Sequence, residues 1–158
     1  MTAPLVEEIH SIEALGGILL DIDQKFQHAD FTDTFNQFIP QIEQEERAAF
    51  AGEKTPGGEE WQPLAPFTNK KKGHARRLYE SGALMAAMID HAMPHHIGEI
   101  TDRWMTYGTD LEYAGFHQDG TDRIPQREFA GLSEETVDRL AGRVADDLVE
   151  KLKYTVRG

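Results

Sequence analysis

The sequence predicts an α+β fold: N-terminal helices, a small mostly antiparallel sheet, and a C-terminal helix packed on that sheet. Apolar residues spaced by three and four at both ends of the chain predict the helices. Short runs of strand-forming residues in the second half predict the sheet, and a stretch rich in proline and glycine separates the two regions. The 158 residues suit one domain, taken as 1–158.

From Leu5 the apolar residues fall at Ile9, Ile12, Leu15, Leu19, Ile22 and Phe26, one helical stripe with Gly16-Gly17 as its weak point. A second helical pattern follows Asp33 through Phe35, Phe38, Ile39, Ile42, Ala49 and Phe50. Pro40 is expected to kink or restart it, and Gly52 to end it. Residues 52–77 carry Pro56-Gly57-Gly58, Trp61, Pro63 and Pro66, and read as a long extended loop. Ala83-Leu84-Met85-Ala86-Ala87-Met88 has the propensity of a helix. Ile97–Ile100 and Arg103–Tyr107 read as two short strands turning near Thr101-Asp102. Arg123–Phe129 reads as a third, pushed toward a sheet edge by Pro125. Ser133 is a good N-cap for the last helix, with Glu134 and Glu135 in its first turn. Val137, Leu140, Val144, Leu148 and Leu152 form the apolar stripe of that helix, and Glu135–Arg139, Arg143–Asp147 and Asp147–Lys151 are spaced to pair.

Composition excludes several functions. A net charge of −12 opposes broad nucleic-acid binding, and sequence-specific reading of nucleic acid is not expected. With no cysteine there are no disulfides, thiolate metal sites or thiol nucleophiles. Glu7 and Glu8 sit where a signal peptide would be positive or apolar, so none is expected. No run approaches the length of a membrane span, and no membrane partner is expected either.

The candidate chemistry is sparse. His91, His95 and His96 could supply imidazoles to a metal-dependent hydrolase, but their spacing is not that of two ligands one helical turn apart. No metal or cofactor is therefore expected. Asp21 and Asp23 diverge on a helix and do not make an acid–base pair. His117, just before a glycine turn, is expected to bond locally and fix that turn. Arg127 reaches either back to the same turn or to a carboxylate on a neighbouring subunit. Trp61 either anchors its loop on the parent domain or inserts into a neighbour. Lys70, Lys71, Lys72, Arg76 and Arg77 reverse the local charge of an acidic chain. They are either a solvated loop or a docking run for an acidic face. Trp61, Arg127 and these five cations are the candidate interaction residues.

Three segments, taken together, resemble the virion morphogenesis, or tail completion, family of Mu-like and related tailed phages. The first is Gly57-Gly58-Glu59-Glu60-Trp61-Gln62-Pro63-Leu64 with Thr68 and the lysines after it. The second is Leu78-Tyr79-Glu80-Ser81-Gly82-Ala83-Leu84. The third is Tyr113-Ala114-Gly115-Phe116-His117-Gln118-Asp119-Gly120, followed by Ile124-Pro125-Gln126-Arg127-Glu128-Phe129. The likeness runs over roughly residues 35–152, leaving 1–30 as an added N-terminal helix, and Glu128 departs from the proline often found there. It marks Tyr113, His117, Gly120, Pro125 and Phe129 as motif residues with structural roles, and it implies a strand at Ala83–His91.

The function implied is structural and non-enzymatic: completing or capping the tail at or near the head–tail junction. The chain would act as a hexameric ring touching other copies of itself and tail-tube or head–tail connector proteins. It would be assembled in the host cytoplasm and found in the virion tail or neck. The alternatives are the histidine-based hydrolase, or an assembly chaperone absent from the finished particle.

Overall fold

The computed structural model describes residues 12–153, with side chains from residue 16 onward. Among the described residues the fold is α+β, with six helices and one two-stranded antiparallel sheet. α1 (Ile12–Gln27) comes first; the expected helical residues from Leu5 to Ser11 lie outside the described part. The Phe31 amide donates to the Asp102 carbonyl at 2.8 Å and leads the chain into α2 (Thr32–Gly52).

α2 is the spine of the molecule. Phe35, Phe38, Ile42, Glu46 and Phe50 recur at helical spacing and are buried. Pro40 neither breaks nor restarts the helix. It lies on the exposed face, where a carbonyl deprived of its donor meets water, while buried Phe38 and Ile42 hold the helix on either side. The helix ends at Gly52, followed by Glu53 in the left-handed region at φ 53°.

The 52–77 segment is not one extended loop. Residues 53–61 fold back on themselves, with Lys54 bridged to Glu60 and the Trp61 amide donating to the Glu53 carbonyl at 2.8 Å. α3 (Pro66–Lys72) follows, started by a proline that needs no donor in a first turn and closed by Gly73 at φ 72°.

Ala83–His91 is not the strand that the resemblance implied. α4 (Ala83–Ile89) occupies it, because the run is made of strong helix formers and the helix buries Leu84, Ala87, Met88 and Ile89 together. β1 (His96–Ile100) then pairs with β2 (Met105–Thr109), with Gly98 opposite Tyr107 and Ile100 opposite Met105. β2 begins later than expected because the turn consumes Thr101–Trp104. The Thr101 amide donates to the Trp104 carbonyl at 2.9 Å, and its hydroxyl accepts the Arg103 and Trp104 amides at 3.2 and 3.1 Å.

After the short α5 (Ala114–Gln118), Arg123–Phe129 is irregular rather than a third strand. Its donors go elsewhere: the Arg127 amide to the His117 carbonyl, and the Phe129 amide to the Gln118 side chain. α6 (Glu134–Lys153) closes the chain, capped as expected by the Ser133 hydroxyl, which accepts the Thr136 amide at 3.3 Å. The Asp147–Lys151 pair forms, whereas Arg139 turns to the Thr136 hydroxyl at 2.9 Å.

Two apolar clusters sit along α2. One joins Phe50 to Trp61, Leu78, Leu84, Met88, Ile89, Ala114 and Phe129. The other gathers Ala29, Phe31 and Phe35 with Leu140, Val144 and Leu148 of α6 and with Ile100 and Met105 of the sheet. α6 packs on α1 and α2, and its apolar stripe shares this cluster with Ile100 and Met105 at the turn end of the sheet. No helix among the described residues is long and apolar enough to cross a membrane.

Candidate functional site

The three motif segments, distant in sequence, converge on one open groove of about 850 Å³. Pro63, Leu64, Thr68 and Lys72 come from the first segment, Leu78 to Leu84 from the second, and Tyr113, His117, Ile124, Pro125 and Arg127 from the third. The groove lies at the Phe50 end of α2, over the cluster containing Trp61 and Phe129.

Its floor is held by a clamp. Trp61 is 2% exposed, its indole N–H donates to the Glu128 carbonyl at 2.7 Å, and its ring meets Phe50 edge-on at 5.4 Å. Arg127 is 4% exposed, and its guanidinium donates to the Gln62 and Pro63 carbonyls at 2.7 and 3.0 Å. Burial, with the Arg77 charge nearby, pulls this guanidinium below its usual range, and Glu53 partly offsets them. Both residues anchor their own chain, which for Trp61 is the first of the two arrangements expected of it. The partner of Arg127 is neither a carboxylate nor the turn it follows: it bonds two carbonyls 64 and 65 residues earlier.

Sequence reasoning missed a third member of the clamp. The Gln118 side chain accepts the Phe129 and Ala130 amides, each at 3.0 Å, and donates to the Ala130 carbonyl at 3.0 Å. Its only signal was its place beside His117 in the third motif. Gly120 is required at the turn, since φ is 73° and a Cβ would lie 2.8 Å from the Gln126 nitrogen.

His117 forms part of the groove wall, with its ring edge-on to Tyr113 at 6.3 Å. Its carbonyl, not its ring, fixes the turn by accepting the Arg127 amide at 2.8 Å. The buried Nδ1 has no partner, and burial, helped by the charges of Arg127 and Lys72, holds the imidazole below its usual pKa. Tyr113 and Pro125 also form the wall, whereas Phe129 is buried in the cluster beneath.

The five cations divide. Arg77 belongs to the fold, because its amide and guanidinium both donate to the Glu53 carboxylate, at 2.7 and 2.8 Å. Arg76 lies over the Tyr79 ring at 3.8 Å, and Lys72 stands in the groove wall. Lys70 and Lys71 are exposed on α3, which buries none of its residues and carries Phe67 at 79% exposure.

The histidine cluster does not converge. His91 Nδ1 lies 3.2 Å from Glu43, His95 Nδ1 lies 2.7 Å from Asp110, and His96 Nδ1 donates to the Ala87 carbonyl at 2.8 Å. Among the described residues, no group of three or more histidines and carboxylates is placed to hold a metal.

Residues 11–149 match the model of the phage virion morphogenesis family, a span that takes in α1 as well as the three motifs. The chain is also similar to the Mu-like prophage FluMu G protein 1 of Haemophilus influenzae. The two are 28% identical over 140 residues, covering 82% of this chain and 90% of that one. No solved structure matches the chain.

Proposed function

The chain belongs to the phage virion morphogenesis family, and on that premise we propose that it completes or caps the tail at or near the head–tail junction. Participation in the assembly of phage virions follows from the family itself, as does a structural place in the virion. The finer reading is a non-catalytic part in the tail or neck that works as a hexameric ring.

The observation that carries it is the convergence of all three motif segments on one open groove, flanked by the exposed basic face of α3. The groove is walled by apolar and aromatic side chains interspersed with Thr68, Lys72, Glu80, Ser81, His117 and Arg123, and it is clamped from below by hydrogen bonds to backbone carbonyls. Such a wall suits the seating of another protein surface more than the turning over of a substrate. The chain carries −12 overall, yet Lys70 and Lys71 are exposed on α3 and Arg76 is exposed shortly after it. An acidic body with one exposed basic segment favours head-to-tail contact between unlike surfaces, the kind of contact that closes rings. The partners proposed are other copies of the chain and the tail-tube or connector proteins they meet.

Quantitative mass spectrometry of purified particles, with electron microscopy of lysates lacking the protein, tests this reading. A fixed, small copy number per particle is expected, with unjoined heads and tails when the protein is missing. Absence from finished particles would favour the chaperone reading, and normal particles without the protein would contradict any assembly role at the tail.

A further inference from the structure

α6 presents two unlike sides. Its inner side rests Leu140, Val144 and Leu148 on the cluster with Phe31 and Phe35. Turned away from the domain are two adjacent ridges, each taking every fourth residue. Val137, Ala141, Ala145 and Val149 form the first, and Glu134, Asp138, Gly142, Asp146 and Glu150 the second; every one of them is exposed. Val137, expected in the inner stripe, is 49% exposed, as is Val149 about 18 Å further along the axis. Between the valines the surface is low. The alanines have no rotamer to order, and a Cβ on Gly142 would meet nothing within 4 Å, so a facing wall can come close. Of the acids in the second ridge only Glu150 is ion-paired among the described residues, with Lys153. A low apolar ridge edged by unpaired carboxylates fits an apolar seat that carries cations.

The groove supplies both. Leu64, Tyr113, Ile124 and Pro125 give its walls apolar surface, and Lys72 and Arg123 stand in the same walls. Glu80 is the one carboxylate that lines it, and Arg127 is spent on the Gln62 and Pro63 carbonyls. Lys72 gives one hydrogen to the Arg76 carbonyl at 3.5 Å and keeps two for an anion. Neither Lys72 nor Arg123 is ion-paired among the described residues, whereas Arg77 is held by Glu53. No residue of α6 lines the groove, so the two surfaces belong to different parts of one chain and meet only between copies.

We propose that the groove of one copy seats the outer face of α6 of a second copy, with Val137 to Val149 against its apolar walls and Asp138 and Asp146 meeting Lys72 and Arg123. The proposal rests on the reading of the groove as a seat for another protein surface, and it names that surface. An amphipathic helix laid in a groove is a common mode of recognition, here with the amphipathic face turned outward from its own domain. Because the two surfaces differ, each added copy leaves one groove and one helix open, and the contact repeats until a ring closes.

Sedimentation equilibrium of the full chain from about 1 to 200 μM tests the proposal, alongside thermal unfolding of each variant. The wild-type chain should associate beyond a dimer. Asp138→Lys with Asp146→Lys in one variant, and Lys72→Glu with Arg123→Glu in another, should each weaken association by about tenfold or more at low salt. None of the four side chains is buried, so both melting temperatures should stay within roughly 2 °C of wild type. The two variants mixed in equal amounts should associate again, because the reversed helix of one meets the reversed groove of the other. Ala145→Trp, which changes no charge, should weaken association as well. A wild-type chain that stays monomeric throughout, or a mixture no better associated than either variant alone, overturns the proposal. Complementation of particle assembly separates it from the reading beneath it. Failure with the Lys72 and Arg123 variant but normal particles with the α6 variants means that another partner fills the groove, which overturns the α6 contact alone. Normal particles with all of them overturn the docking role of the groove itself.

Discussion

Trp61 with Arg127 and Phe67 with Lys70 and Lys71 are two pairings of aromatic and cation, and they end in opposite situations. Trp61 and Arg127 are 2% and 4% exposed, each bonded to backbone carbonyls of a distant segment. Phe67 is 79% exposed, on a helix that buries nothing. The residue types are alike, and the availability of a partner within the chain separates the buried anchor from the exposed set. A buried donor must find an acceptor, so Trp61 and Arg127 tie together three loops; surface lysines, solvated by water, need none.

The comparison breaks most readily at Trp61. Trp61→Ala is expected to cost about 3–5 kcal/mol, and the melting temperature should fall by roughly 10 °C or more. A shift of only a degree or two by calorimetry would mean that the floor of the groove is not held this way.

A buried carboxyl on α2 also gives the fold a pH signature. Glu46 is 2% exposed, and burial, with the Glu45 carboxylate adding to it, pushes its pKa up to about 8 against the Gly131 amide. The folded state therefore holds a proton that the unfolded state releases at an ordinary carboxyl pKa of 4.5. Stability from this group is fully present below that value and is lost as pH rises toward about 8, by an amount on the order of a few kcal/mol. Glu46→Gln should flatten the decline in chemical denaturation series across that window. An equally steep decline in the variant would place its origin elsewhere.

Arg127→Met sharpens the contrast further. It removes two charge-assisted hydrogen bonds and strands the Gln62 and Pro63 carbonyls, for an expected loss of about 2–3 kcal/mol in urea denaturation. Arg77→Met, which loses one partly buried pair with Glu53 and keeps the backbone amide bond to the same carboxylate, should cost about 1 kcal/mol. If the two losses were equal, burial would not be what distinguishes the cations.

Much of this architecture was legible in the sequence. The periodicity of α2 and α6, the Ser133 cap, the two short strands and the three motif segments are local signals, and the structure honours them. What remained illegible depends on contacts between remote segments. Period shows that α1 and α6 each have an apolar stripe, yet not that Leu140, Val144 and Leu148 face the core while Leu19, Ile22 and Phe26 face out. Nor do residue types tell that Arg127 would choose carbonyls 64 and 65 residues away over a carboxylate. At Ala83–His91 the local signal was right and the implied strand wrong, because helix propensity and burial agree there.

The measurement that bears most directly on the docking role of α3 is the variant carrying Phe67→Ser, Lys70→Ser and Lys71→Ser together, followed both by thermal unfolding and by complementation of particle assembly. None of the three side chains is buried, so the melting temperature should stay within roughly 2 °C of wild type. Assembly should nevertheless fail, with unjoined heads and tails in electron micrographs of the lysate. Infectious particles at wild-type yield from this stably folded variant would contradict the account.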